Sequence, residues 1–279
     1  MIGDILVTGA TGFFGRHFVK RLLDQNLSHR ICIYSRDEFK QFQMRQQFKD
    51  DPRLRWFVGD VRDRDRLLTA TQGIACVVHA AALKRIEVGR YNPMEMVKTN
   101  VIGSMNVVEA CQHAGVKRAV LLSSDKAFEP ISPYGQSKAL AESLFISGNE
   151  TGGRDSTRFV VTRYGNVAGS TGSVIPLWRA ADRIRVTHQD ATRFWMTADE
   201  AVELVLAAVT NQSTRSFYIP TLPAFRLGDL LSAMDVHEFD TVGLPPWEKK
   251  NETLAPGQSS DKARRMTVDE IKEALRNVP

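Results

Sequence analysis

Cysteine is scarce in this sequence: among its 279 residues only Cys32, Cys76 and Cys111 occur. They stand far apart inside apolar runs, a spacing that suits neither a zinc site nor a disulfide framework. They read as buried thiols in a reducing cytoplasm. Long hydrophobic runs are also missing, and none approaches the roughly 18 apolar residues that a membrane helix needs. The amino-terminal Met1-Ile2-Gly3-Asp4 leads straight into a strand and offers no signal peptide, so a cytoplasmic location and no membrane partner are expected. There is no repeat architecture and no low-complexity tract. Charge of one sign does not accumulate either. The net charge is +5, yet the richest charged stretch, Asp60 to Arg66, alternates in sign, which marks a solvated face. No nucleic-acid partner is expected, and the small basic excess suits a pocket for phosphates.

The residues that are present have the rhythm of an α/β protein. Hydrophobic content of 43% and charged content of 25% are ordinary for a globular chain. Asp4 to Thr8 is apolar, Gly9-Ala10-Thr11-Gly12-Phe13-Phe14-Gly15 follows, and a helical pattern runs from Arg16 to Gln25. Strand, glycine turn and helix together give a weak glycine motif its meaning. The glycines let backbone approach a pyrophosphate, and the helix amino end supplies N–H groups and a positive dipole. Arg30 to Tyr34 is the second strand and ends in Ser35-Arg36-Asp37. Asp37 would suit the ribose hydroxyl of NAD, whereas Ser35 and Arg36 suit a 2′-phosphate, and the balance favours NADP. Glu38 to Lys49 reads as a charged helix. After the third strand, Leu54 to Val58, comes Asp60-Val61, where Asp60 is a candidate acceptor for the adenine amino group. Arg64 to Thr71 is a short helix. The fourth strand, Ala75 to His79, runs into Ala80-Ala81-Ala82, whose small side chains let a flat cofactor lie close. Lys84 is a phosphate or sugar contact, or a solvated loop charge. His79 reads as a packed strand-end histidine.

Apolar residues at Val97, Val101, Met105, Val108 and Cys111 give a long helix, Met94 to Ala114, its buried face. Asn100 lies on or beside that face and needs partners, which the backbone near the next strand would supply. That strand, Arg118 to Leu122, runs into Ser123-Ser124-Asp125-Lys126-Ala127, at the end of a strand where open α/β sheets bind ligands. A helix then begins near Tyr134 and runs to about Ser147. Tyr134 and Lys138 share one face of it, and an ammonium near a phenol favours the phenolate. That phenolate can take a proton from a sugar hydroxyl while hydride leaves the same carbon.

Arg158 to Arg163 is a sixth strand. It is followed by Tyr164-Gly165-Asn166-Val167 and by a loop of glycine and small hydroxyl residues, Gly169 to Val174, that can wrap a ligand. After Ile175 the β-α rhythm fades. Leu177 to Ile184 is expected as helix, Arg193 to Thr197 as strand, Ala198 to Thr210 as helix and Phe217 to Pro220 as strand. Phe225 to Met234 is helical with Arg226 at its start, Leu244 to Lys262 is loop-like, and Val268 to Leu275 is a last helix. The expected fold is a Rossmann-like, doubly wound parallel sheet over residues 1–175. A small α/β substrate-binding cap over 176–279 has segments interleaved with it.

The order TGATGFFG at Thr8, SRDEFKQ at Ser35, GDVRDRDRL at Gly59, HAAALK at His79, KTNVIGSMNV at Lys98, SSDKA at Ser123, YGQSK at Tyr134, RYGNVAGSTGSVIP at Arg163 and TRFWMT at Thr192 resembles the extended short-chain dehydrogenases/reductases. Within them it resembles the C5-inverting UDP-N-acetylglucosamine 4,6-dehydratases of polysaccharide biosynthesis, in their soluble short form. EKKNETL at Glu248 and SSDKARRMTVDEI at Ser259 are looser landmarks. The resemblance implies a UDP-sugar substrate, a resident NADP and a homo-oligomer. Thr8 to Gly15, Ser35 to Asp37, Asp60, Val61, Ala80 to Ala82, Lys84, Asn100, Tyr134, Lys138, Tyr164, Asn166 and Val167 would surround the cofactor. Lys84, Ser124, Asn166, Ser173, Val174 and Arg226 would hold the sugar nucleotide. Tyr134, helped by Lys138, would take the 4-hydroxyl proton, with Ser124 bonded to the 4-oxygen. Lys126 would be the base at C5 and Asp125 the acid for the departing 6-hydroxyl. For these tasks Lys126 needs a lowered pKa and Asp125 a raised one. A nucleotide-sugar 4-epimerase would need only Tyr134 and Lys138, and a non-catalytic NADP-binding protein would need neither.

Overall fold

The strands of the first half alternate their side chains between two cores. The computed structural model describes residues 2–153 and 156–278. Strands β1 (Ile5–Thr8), β2 (Ile31–Ser35), β3 (Leu54–Val58), β4 (Cys76–His79), β5 (Arg118–Leu122) and β6 (Arg158–Thr162) are parallel. Ile5, Val7, Ile33, Val78, Val120 and Val160 point to one face, and Leu6, Tyr34, Val77, Leu121 and Val161 to the other. A parallel sheet buried on both sides needs such unbroken apolar strands. Helices α1 (Phe13–Asp24) and α2 (Glu38–Gln47) cover the first face. Helices α3 (Arg64–Ala70), α6 (Gly103–Ala114) and α7 (Pro133–Thr151) cover the second. Between α3 and α6 lie two short helices, α4 (Ile86–Tyr91) and α5 (Pro93–Met96).

The doubly wound sheet expected from the sequence is present, with seven strands in the order β3-β2-β1-β4-β5-β6-β9. The later elements are α8 (Val174–Arg179), β7 (Arg185–Val186), β8 (Thr192–Phe194), α9 (Ala198–Thr210), β9 (Phe217–Tyr218), β10 (Ala224–Arg226), α10 (Leu227–Ala233), β11 (Asp240–Thr241), β12 (Thr253–Ala255), β13 (Gln258–Ser259) and α11 (Val268–Leu275). Of these, β9 joins the main sheet beside β6, and α9 packs its Val202, Val205 and Val209 into the first core. A third core, built on Trp178, Val186, Trp195, Phe225, Leu231 and Ile271, joins α8, α10 and α11.

Three local readings need correction. Helix α8 starts at Val174, not Leu177, because Pro176 falls in its first turn, where no backbone donor is required. It ends at Arg179, short of Ile184. The stretch after Leu244 contains the hairpin β12–β13, turned by Pro256-Gly257 with Gly257 at φ +78°. The long helix expected over Met94–Ala114 contains one π-helical turn, Val97–Ile102, around Asn100, and such turns gather at functional sites. Val97 and Met105, expected on its buried face, are exposed, and Asn100, Ser104 and Val107 are buried with Cys111 instead. Among the described residues no helix is long and apolar enough to cross a membrane.

Candidate active site

The strand order reverses between β1 and β4, and the crevice outside their carboxyl ends is where such sheets bind ligands. Gly9 turns the chain at φ +66°, and a Cβ there would stand 2.8 Å from the Ala81 backbone. A Cβ on Gly15 would collide with the Ala10 carbonyl, whereas one on Gly12 would meet only the Gly9 carbonyl, at 3.1 Å. Gly9 therefore lets the loop pack against the segment after β4, Gly15 closes the loop on itself, and Gly12 leaves room above it. The first turn of α1, with Phe13 and Phe14, has no capping side chain and no acidic residue. Its amides and dipole are left for an anion. Thr11 is buried, and Ala80, Ala81 and Ala82 are half-buried across the crevice. This cradle fits the pyrophosphate of a dinucleotide.

At the adenosine end the candidates separate. Asp37 caps α2, accepting from Lys40 N at 3.0 Å. Ser35 is buried, and its hydroxyl accepts from Gln41 Nε2 at 3.0 Å. Arg36 is exposed and 3.6 Å from Asp60. Asp60 also takes two bonds from the Arg62 guanidinium, at 2.9 and 2.7 Å. Val61 turns its side chain into the core against Gly103.

Between the cradle and the centre of the sheet runs a directed chain of hydrogen bonds. Ala81 N donates to Thr8 Oγ1 at 3.2 Å, and Thr8 Oγ1 lies 2.7 Å from His79 Nδ1. His79 Nε2 lies 3.2 Å from Ser104 Oγ, which donates to the Asn100 carbonyl at 2.6 Å. Because Ser104 spends its proton on Asn100, Nε2 is the protonated ring nitrogen and Nδ1 accepts from Thr8. The ring is neutral: burial, and then the nearby Lys138 charge, push its pKa down to about 3. His79 is thus the packed strand-end residue expected of it. The Asn100 side chain is fully used: it accepts from Leu83 N at 2.8 Å and donates to Leu83 O at 2.8 Å and Ser137 Oγ at 2.9 Å. It ties the loop after β4 to α7 instead of facing the crevice.

The tip of β5 carries the charged groups. Asp125 and Lys126 form a single 3-10 turn, Asp125–Ala127. Helix α7 can approach that turn only because residue 135 is glycine: a Cβ there would strike the Lys126 carbonyl. Ser132 caps α7 by accepting from Gly135 N at 3.1 Å. This packing sets Tyr134 beside Ser124, whose hydrogen bond favours the phenolate. Ser124 Oγ donates to Asp125 Oδ1 at 2.8 Å, and Lys126 Nζ donates to the same oxygen at 3.2 Å. Lys126 Nζ also lies 3.1 Å from Glu252 Oε1 and 3.4 Å from Asn166 Oδ1. Glu252, just before β12, is 1% exposed. Nothing in the local sequence pointed to it beyond its place in the EKKNETL landmark.

The electrostatics agree with one expectation and correct two. Burial holds Asp125 above the usual carboxylate range, reinforced by the Glu252 charge and opposed by Lys126. Lys126 was expected below its ordinary value. Burial does push it down, but Asp125 and Glu252 together outweigh burial and raise it. Tyr134 was expected to be lowered by Lys138. Instead burial raises it, and the groups that pull it back are Lys126 and Ser124. The Lys138 ammonium is directed at the Leu122 carbonyl, 2.5 Å away. Burial lowers it to about 8 against the attraction of Glu142.

The chain matches the polysaccharide biosynthesis protein family over residues 5–274. It belongs to that family. It is 40% identical over 263 residues to a UDP-N-acetylglucosamine 4,6-dehydratase (inverting) of Campylobacter jejuni subsp. jejuni, covering 92% of this chain and 78% of that protein. A UDP-glucose 4-epimerase of Rickettsia bellii is 36% identical over 271 residues, covering 93% and 79%. The X-ray structure of Pen from Bacillus thuringiensis matches with a TM-score of 0.92 at 30% identity, covering 98% of each chain. The resemblance read from the motifs is borne out.

On the remaining side of the site, this polysaccharide biosynthesis family member gathers Asn166, Val167, Ser173 and Val174 around a small apolar hollow with Trp195 and Phe225. Ser173 Oγ is buried there without a partner. Tyr164 is buried below it, and its carbonyl accepts from Asp125 N at 3.0 Å. Lys84 is exposed after the alanine run. Arg226 does not join the hollow: it is half exposed and paired with Asp229 at 3.0 Å.

Proposed function

We propose that this family member is a nucleotide-sugar 4,6-dehydratase that acts on UDP-N-acetylglucosamine and uses NADP. The observation that carries this reading is the ion pair of buried Asp125 and half-buried Lys126 beside Tyr134. Burying charges costs several kcal/mol per ion unless they are paired. A 4-epimerase has no use for that pair, although relatives of that name exist at 36% identity.

The bound cofactor supplies a reversible hydride store for C4 and C6 of the sugar. Tyr134 takes the proton of the 4-hydroxyl, while Ser124 bonds the 4-oxygen. Lys138 holds the tyrosine end of α7 against β5. Once C4 is a ketone, the C5 hydrogen is acidic, and Lys126 Nζ, having released one proton to solvent through its exposed side, removes it as the neutral amine. Asp125, whose protonated form is favoured by burial, gives its proton to the departing 6-hydroxyl, so that water leaves. A proton then returns to C5 on the opposite face, giving the C5-inverted 4-keto-6-deoxy sugar.

The choice of NADP over NAD rests on Asp37 and Arg36. With Asp37 committed to capping α2, the exposed guanidinium of Arg36 is the group placed to meet a 2′-phosphate. A homo-oligomer is supported by exposed Tyr91, Met94, Val97 and Met105 along α4 to α6. Cys32, Cys76 and Cys111 are free and buried, which suits a reducing compartment.

Incubation with UDP-N-acetylglucosamine in deuterated water, followed by NMR, tests the reaction. Dehydration puts solvent deuterium at C5 and turns C6 into a methyl group. Epimerisation alone leaves hydrogen at C5 and overturns the proposal.

A further inference from the structure

Two of the sequence landmarks, TRFWMT and EKKNETL, are left without a task by the proposed reaction. The structure brings them together behind Lys126. Thr192 N donates to the Lys250 carbonyl at 2.9 Å, and Thr192 Oγ1 donates to Asn251 Oδ1 at 2.9 Å. Arg193, 5% exposed, pairs with Glu248 and donates to the Lys250 carbonyl at 3.1 Å. Lys249 donates to the Phe128 carbonyl, just beyond the Asp125–Ala127 turn. Ser260 Oγ accepts from Glu252 N at 2.9 Å. Trp247 lies over the Arg90 guanidinium, 3.4 Å from its ring centre. Each contact fixes residues 247–252 against β8, α4, the tip of β5 or the turn after β13. What they deliver to the site is the Glu252 carboxylate, with Oε1 on Lys126 Nζ and Oε2 buried without a partner.

We propose that Glu252 is a positioning residue of this site, which sets the protonation of the Asp125–Lys126 pair by holding Lys126 as an ammonium between two carboxylates. The inference rests on the dehydratase reading for its catalytic meaning, though not for its physical content. Two buried carboxylates share the Lys126 ammonium, which favours a proton on the one with fewer other cations near it. Glu252 is also faced by Arg193 and Lys249, and its carboxyl is held below the usual range by Lys126 and Arg193 against the cost of burial. Asp125 lacks those extra cations and is the one raised. The groups facing Lys126 are Asp125 from its own turn, Glu252 and Arg193 from the later segments, and Tyr134 from α7. Removing the Glu252 charge therefore moves both members of the pair in one direction. Lys126 gives up its proton at lower pH, and so does Asp125.

The test reads the amine directly. Lys126 borders a hollow with Ile86, Trp247 and Glu252, and its side chain is 21% exposed, which is the side from which a small acylating reagent is offered. The pH midpoint of Lys126 acylation is followed by peptide mass spectrometry in the intact protein, with exposed Lys49 as internal reference. In the native protein the Lys126 midpoint is expected above that of Lys49. In Glu252→Gln it is expected to fall by a unit or more, a tenfold or greater gain in reaction rate below the midpoint, while Glu252→Asp keeps most of the native value. The pH–rate bell for elimination is expected to move acidward in Glu252→Gln by a similar amount, with NADP affinity unchanged. An unmoved midpoint in Glu252→Gln overturns the proposal. If that variant does not fold, a native Lys126 midpoint at or below that of Lys49 overturns it. A native protein that titrates as expected but converts no UDP-sugar removes the dehydratase reading and leaves the hold of Glu252 on Lys126 intact.

Discussion

The five residues Ser-Ser-Asp-Lys-Ala occur twice in this chain, at Ser123–Ala127 and at Ser259–Ala263. At the first place Asp125 is fully buried and burial raises its pKa. At the second, Asp261 and Lys262 are exposed in a turn after β13, and the hydrogen bond from Ser259 lowers the Asp261 pKa. Identical side chains thus have opposite electrostatics. The first copy ends a central parallel strand, where α7 and the segment carrying Glu252 shut out water. The second ends a two-stranded hairpin at the surface. Its structural service is to the first: Ser260 secures the backbone of Glu252, and Glu252 holds Lys126.

The largest expected effect separates the two copies. Asp125→Asn or Lys126→Ala is expected to slow elimination by a factor on the order of 10² or more, with cofactor affinity retained. Asp261→Asn and Lys262→Ala are expected to leave both unchanged. Steady-state rates on the four variants, with cofactor binding followed by fluorescence, decide this. Equal losses at both copies would mean that burial does not distinguish them.

The same contrast explains what could be read from the sequence. The sheet was legible because each strand carries its own apolar run and each βα turn, except the one before α4, its own glycine or cap. Helices α9 and α11 begin with a threonine whose capping box is complete, at Thr197 and Thr267, and their expected limits match. Asp125, Lys126 and Tyr134 were legible because a strand tip and a helix start lie close in sequence. Glu252 was not, since its link to Lys126 passes through β8, the hairpin and Ser260, and no local pattern encodes that path. The raised Lys126 follows from the same gap: without Glu252 in view, desolvation looked decisive for the lysine. The raised Tyr134 has a different cause, its own burial. Pro256-Gly257 was a readable turn signal and would have found the hairpin. The π-helical turn around Asn100 has no such signal in its composition.

Burial acts on His79 as it does on Asp125, with the charged form being the one disfavoured in each. The His79 pKa is depressed from 6.5 to about 3 in the folded protein. The unfolded chain therefore binds a proton first as pH falls below 6.5, and stability contributed by the neutral ring is lost on the way down to 3. Between pH 6.5 and 4.5 this one group is expected to cost the native protein about 2–3 kcal/mol. His79→Gln keeps a donor and an acceptor between Thr8 and Ser104 and does not titrate. Urea unfolding across that pH range is expected to show the stability gap between native protein and variant narrowing toward acid. Parallel curves would show that His79 titrates normally.

The smallest expected effect falls on a side chain that stays in water. Arg36 is about half exposed, and its charge partner Asp60 stands 3.6 Å away and is already bonded to Arg62. An exposed pair of this kind adds little to stability, so Arg36→Ala is expected to unfold as the native protein does. Its charge matters only when a ligand brings a phosphate to it. Charge-assisted hydrogen bonds are worth about 1.5–3 kcal/mol when made, and solvent exposure argues for the low end. The ratio of NADP to NAD affinity is therefore expected to shrink by about tenfold, almost entirely through weaker NADP binding. Titration of both dinucleotides measures it. Asp37→Ala serves as the complement: because that carboxylate caps α2, its loss is expected to lower stability and to leave the ratio unchanged. A shifted ratio in Asp37→Ala with an unmoved one in Arg36→Ala would assign the ribose to Asp37 and the cofactor to NAD.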